Sequence, residues 1–158
     1  MPMRITSKHA IIYYPSDAVL SRFNKKLRLR NLKYLVPRNL SDEESVKIKM
    51  DIIVRKVSGL VGYTIRKDPG YKPPEIVIMP TRREICAEYL RIYEKKVGLV
   101  SFCALIEDTI YLSARNTSLR IVAHEVAHYL LNSSVKHSLS RQVHENVAMA
   151  VERAIIRL

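Results

Sequence analysis

Apolar residues along the chain recur at both strand and helix spacing, and the change from one to the other predicts the elements. From Arg4 to Tyr14 the residues Ile5, Ala10, Ile11, Ile12, Tyr13 and Tyr14 precede Pro15 and predict a strand. Between Asp17 and Leu35, the positions of Leu20, Phe23, Leu27 and Tyr34 fit a basic amphipathic helix, although Leu27-Arg28-Leu29-Arg30 alternates as extended chain does. Ser41 with Glu44 forms a capping-box signature, and Ile48, Ile52, Ile53 and Val57 continue a helix that Gly59 would close. Val61–Ile65 reads as a short strand, and Asp68–Pro74 as an irregular connection. Glu75–Met79 is a buried strand stopped by Pro80. Thr81 with Glu84 repeats the capping signature before a helix through Ile85, Tyr89, Ile92 and Val97, with Gly98 at its end. Val100–Ile106 is β-prone, Glu107-Asp108 reads as a hairpin turn, and Thr109–Leu112 as the return strand. Asn116, Thr117 and Ser118 each offer an N-cap to a helix that buries Leu119, Val122, Val126, Leu130 and Leu131. A last helix starts at Ser138 or Ser140 and runs to the end of the sequence.

The expected class is α+β: a small mixed sheet packed on one helix, with a further helix behind it. At 158 residues the chain can bury a real core, and 47% hydrophobic with 27% charged residues is a globular balance. Asp68–Pro74 is the best candidate boundary. It separates an N-terminal basic segment, 1–74, of regulatory or pro-segment-like character, from a core at 75–158; a single domain throughout is the alternative. No apolar leader is legible at the start, and no run approaches the roughly 18 apolar residues of a membrane span. The expectation is a soluble cytoplasmic protein with no membrane partner. Cys86 and Cys103 do not form a disulfide framework and read as two small buried hydrophobes.

The net charge is +12, unevenly spread. Arg22, Lys25, Lys26, Arg28, Arg30, Lys33 and Arg38 follow one another without an intervening acid. Such a run attracts nucleic acid through counterion release, or else forms a solvated face with its stems laid over apolar neighbours. Aromatic residues for base stacking are sparse there, only Phe23 and Tyr34.

The chemistry concentrates in His124-Glu125-Val126-Ala127-His128. On a helix, residues four apart share a face, so both imidazoles can reach one cation. Glu125 stands beside them as a proton acceptor, the arrangement of H-E-x-x-H zinc hydrolases. A catalytic zinc site takes three protein ligands and keeps one position open. The candidates for the third ligand are His137, His144, Glu145 and Glu152. Glu145 is preferred: Val143, Val147, Ala148, Met149, Ala150 and Val151 leave it little solvent face, and a buried carboxylate needs a partner. His144 points away from Glu145 around the helix and reads as a surface residue or a support for a ligand. Tyr129 reads as packing, and His9 has no informative context.

HEVAHYLLNSS followed by HENVAMAVERAII resembles the gluzincin metallopeptidases, more narrowly minimal gluzincins and ImmA/IrrE-type proteases. TIYLSARNTSLRIVAHEVAHYLL is similar to their strand, loop and active-site helix. The resemblance covers residues 75–158 and leaves 1–74 outside. It implies a zincin-like fold and a zinc-dependent peptidase, with His124, His128 and Glu145 as metal ligands and Glu125 as general base. It also implies a peptide laid along the edge strand at Thr109–Leu112, and a protein substrate such as a regulator. The chain departs from the pattern in two ways. The gap from His128 to Glu145 is shorter than usual, and Met149 stands where thermolysin-like members place an aspartate that orients a ligand histidine. SprT-type proteases close the site with a histidine, which keeps His137 as a rival. A latent, zymogen-like protein covered by residues 1–74, and a protease brought to nucleic acid by Arg22–Arg38, are the alternative readings.

Overall fold

A computed structural model describes residues 3–14, 43–62, 71–113, 116–134 and 140–156. Strands β1 (Met3–Thr6) and β2 (Ile11–Tyr14) precede helix α1 (Glu43–Val61). Then come β3 (Glu75–Met79), α2 (Arg82–Tyr93), β4 (Ser101–Ala104) and β5 (Thr109–Ser113). Helices α3 (Leu119–Ser134) and α4 (Arg141–Ile156) follow. The predicted helix at Asp17–Leu35, the basic run Arg22–Arg38, the capping residue Ser41 and His137 lie outside the described residues.

The five strands form one mixed sheet in the order β1-β2-β3-β5-β4. The two central pairings, β2–β3 and β3–β5, are parallel; the outer strands β1 and β4 pair antiparallel. Side chains alternate between the two faces, as the pleat requires. Ile12, Ile76, Ile78, Ile110 and Leu112 enter a core shared with α1, α3 and α4. Val77, Met79, Phe102, Ala104 and Tyr111 pack with Ile85, Tyr89 and Tyr93 of α2 on the other face. The molecule is therefore a mixed α+β fold with helices on both faces of its sheet. None of the described helices is long and apolar enough to cross a membrane.

Several boundaries differ from the expected ones. The predicted first strand is a hairpin: Ser7 breaks the run, its hydroxyl accepting from the Ala10 N–H and donating to the Ala10 carbonyl. Helix α1 does not stop at Gly59 but continues to Val61, where Gly62 takes the left-handed conformation at φ 76°. Val61 is thus helical and not the start of a strand. Its buried stripe is Met50, Ile53, Val54 and Val57, at i, i+3, i+4 and i+7, so Ile48 and Ile52 turn outward. Helix α2 ends at Tyr93, well before Gly98, because Glu94 adopts a left-handed cap at φ 55° and its N–H returns to the Leu90 carbonyl. Val97 then falls outside the helix and is exposed. The predicted turn at Glu107-Asp108 is present, with Asp108 at φ 54°.

The largest departure concerns β5. Thr109–Leu112 was expected at a sheet edge, yet β5 lies between β3 and β4 and every one of its residues is buried. Both of its backbone edges are occupied, by Ile76↔Ile110 on one side and Cys103↔Ile110 on the other. No peptide can add there. Among the described residues, the edge strand on that side of the sheet is β4.

Chain on both sides of residue 74 shares this sheet and core. Ile11 donates its N–H to the Pro74 carbonyl, and Ile12 pairs with Ile76. Ile12 is fully buried, as are Ile76 and Val126, in one apolar cluster. Replacing Ile12 by Ala should therefore cost about 2–5 kcal/mol in urea denaturation, the usual loss for a core isoleucine. Ile106→Ala, at a position 75% exposed, should leave the midpoint nearly unchanged. An unaltered midpoint in Ile12→Ala would show that the hairpin is an appendage.

Candidate metal centre

Helix α3 presents its apolar side to the sheet through Val122, Val126 and Leu130, all fully buried. Ser118 caps its start: the Ile121 N–H points to the Ser118 hydroxyl and the Val122 N–H to the Ser118 carbonyl. On the flank of this stripe lie His124 and His128, with ring centroids 5.0 Å apart. Helix α4 starts after Ser140, whose hydroxyl accepts from the Val143 N–H. It buries His144, Ala148, Val151 and Ile155 against α3 and the core. Ala123, Ala127 and Ala148 are fully buried in the core cluster to which both helices contribute, and the two helices pack against each other, which brings their polar flanks together.

The geometry places four of the expected residues in one cluster. Glu145 Oε1 is 3.0 Å from His128 Nε2, and Glu145 Oε2 is 3.7 Å from His124 Nε2. Glu125 Oε1 lies 3.9 Å from His124 Nε2. His124, Glu125 and His128 offer ligand atoms all within 4.8 Å of one another, a group that could hold a metal ion. Two imidazole nitrogens with carboxylate oxygen beside them form a donor set that suits zinc and its neighbours in the first transition row.

Two of the other candidates stand behind the rings. His144 meets His128 at Nδ1, 3.3 Å away, with the rings nearly parallel and 5.5 Å apart. It is buried, not at the surface. Glu152 meets His124 at Nδ1, 3.0 Å away, and its other oxygen forms an ion pair with Arg120 at 3.1 Å. Neither faces the Nε2 atoms that converge on Glu145. Glu152 is the support that looked absent from the sequence. Met149 stands one turn after Glu145, where thermolysin-like members have the aspartate, whereas Glu152 lies two turns on. The spacings that could have found it are Glu145 to Glu152 on α4 and Arg120 to His124 on α3, each of which keeps one helix face.

The burial assigned to Glu145 is corrected. Its side chain is 48% exposed, and Val143 and Met149 beside it are also exposed. The buried stripe of α4 runs through His144 and Ala148, which leaves Glu145 at the rim. The buried carboxyl is instead Glu125, 4% exposed, whose Oε2 has no hydrogen-bond partner. Burial first, then the charges of Glu145 and Glu152, push its pKa up from 4.5 to about 8. Burial, and then His124, hold His128 down at about 4, so its ring is neutral at physiological pH and has a lone pair to offer. Cys103 of β4 lies within the field of Glu125; burial, and then that charge, push its thiol pKa up, which makes it unreactive. Tyr129 is buried and donates its hydroxyl hydrogen to the Lys72 carbonyl, in keeping with a packing role.

No known family, curated protein or solved structure matches the chain.

The Glu125 shift has a measurable consequence in metal-free protein. A carboxyl whose pKa is raised by folding contributes stability below its ordinary pKa of 4.5, and that contribution is lost as the pH rises through about 8. Glu125→Gln removes the titration but keeps the shape. In the presence of a chelator, its thermal midpoint should equal the native one near pH 4.5 and exceed it above pH 8, with the gap opening between these values. Parallel midpoint curves across that range would show that the carboxyl is solvated.

Proposed function

We propose that the protein is a zinc-dependent peptidase of the gluzincin type, built on a zincin-like arrangement of sheet and helices. The observation that carries this reading is the convergence of His124 Nε2, His128 Nε2 and the Glu145 carboxylate, with Glu125 buried beside them. His124, His128 and Glu145 would hold the ion. The exposure of Glu145 leaves that side of the site open to solvent and substrate. Bound zinc would supply Lewis acidity, lowering the pKa of water and polarising a carbonyl.

Glu125 has the chemistry of the general base. Its unpartnered Oε2 is free to take a proton from water and to deliver it to a departing amine. The substrate path moves from β5 to β4. The latter strand is the antiparallel edge, its inner side is already paired with β5, and it packs against the site helix α3. An extended peptide would add to its outer side through backbone hydrogen bonds. Cys103, which packs against the core on the α3 side and lies near Glu125, marks where such a strand would pass the site. A protein substrate is the natural partner for such an edge.

Elemental analysis of the purified native chain should find one zinc per molecule. Glu145→Ala should lose metal at limiting zinc. Glu125→Ala should keep it while peptide hydrolysis falls by about 10²–10⁴-fold, the usual cost of removing a general base. Full hydrolysis by Glu125→Ala would remove the base assignment, and a native chain that takes up no zinc would end the peptidase reading.

A further inference from the structure

We propose that the outward face of α1 docks an acidic amphipathic helix of a partner protein. The buried stripe of α1 runs through Met50, Ile53, Val54 and Val57. Such a helix normally turns polar residues the opposite way. Here Ile48, 59% exposed, and Ile52, 37% exposed, point there instead. With Arg55 and Gly59 they follow one another at spacings of four, three and four residues, the seam pattern of a helix that receives another helix. Leu60, also exposed, stands on the flank of this row, one turn after Lys56. Gly59 fits the same picture. Glycine weakens a helix, so its presence there needs a reason. A Cβ added at Gly59 would meet nothing within 4 Å, so no contact within the chain calls for glycine. On an outward row it lets a second backbone approach closely.

Charge selects the partner. Arg55 and Lys56 are exposed beside the two isoleucines, and half-buried Lys49 lies on the same flank as Lys56. Among the described side chains of α1 the one acid is Asp51, half-buried, whose Oδ1 accepts from the His9 N–H at 3.2 Å. A second copy would bring cations against cations, and the chain's own run Arg22–Arg38 carries the same sign. Phosphates would satisfy the cations but leave the isoleucines uncovered. A helix with aliphatic residues in its seam and carboxylates beside them satisfies both. The row from Ile48 to Gly59 is about three turns long, which suits a small, reversible contact. It shares no residue with the metal centre, so the docking is independent of the peptidase reading.

The test uses the full native chain. The probe is a fluorescent acidic peptide of about 18 residues, with leucines in its seam and glutamates beside them, long enough to form a helix. Anisotropy should show saturable binding that weakens as salt is raised. Ile48→Ser with Ile52→Ser should weaken it by at least about tenfold, with the fold intact by circular dichroism. Arg55→Glu with Lys56→Glu should abolish it, and that variant should instead bind the same peptide carrying lysines in place of its glutamates. A native chain that does not bind the acidic peptide overturns the proposal. So does binding that survives both serine substitutions, which would be charge attraction alone. Dimerisation of the native chain in sedimentation, lost in the serine variant, would assign the face to a second copy. Binding to phosphatidylglycerol vesicles, lost in the same variant, would assign it to a membrane surface. Either result overturns the acidic-helix proposal.

Discussion

The close packing of α3 on α4 is the constraint from which the rest of the site follows. Each helix brings an apolar stripe to the core and a polar flank beside it. Ala123, Ala127 and Ala148 are fully buried in the cluster the two helices share, and the flanks meet through His124, His128, Glu145 and Glu152. His124, Glu125 and His128 come from one helix, and His144, Glu145 and Glu152 from the other. A larger residue in the seam would push the helices apart, and shifts of about 1 Å are enough to spoil a ligand set. Cavity costs and strain in this seam would therefore register in the chemistry before they registered in the fold.

Burial of Glu125 is a cost that the apolar core must offset. A carboxyl 4% exposed, with one oxygen unpartnered, is the kind of group that interiors normally exclude. The sheet face beneath is able to sustain it. Ile12, Ile76, Ile110 and Leu112 are fully buried on that face, each worth about 1.5–3 kcal/mol relative to exposure. Local disagreement between a residue and its surroundings is expected where function is seated, and here it coincides with the one glutamate between the two histidines.

Helical segments and the motif were legible because their signals are local. Thr81 and Glu84, the i, i+4 histidines and the apolar stripe of α3 depend on spacing along one element. The strand order was not legible. Whether Thr109–Ser113 is an edge or a centre depends on which strands flank it, and β3 reaches it across a long sequence separation. Its residues do carry a hint, since Thr109-Ile110-Tyr111-Leu112 lacks the polar alternation of a half-exposed strand. The exposure of Glu145 was misjudged for a related reason. Counting apolar neighbours in sequence treats them as neighbours in space, whereas a helix gives adjacent residues different directions. Counting by turns would have placed Glu145 beside exposed Met149, and Glu152 on the same side as Glu145.

The fold also assigns two opposite electrostatic characters to one small molecule. The chain carries a net +12, yet the centre gathers Glu125, Glu145 and Glu152 around His124 and neutral His128, with Arg120 as the guanidinium paired to Glu152. Burial, and then the charges of Glu145 and Glu152, push the Glu125 pKa up to about 8. A cation among the same groups would reverse the sign of that field and favour the ionised form. The burial that makes Glu125 a poor anion in the metal-free chain would thus make it a strong, desolvated base beside a bound cation. The cost to stability and the capacity for chemistry arise from a single placement.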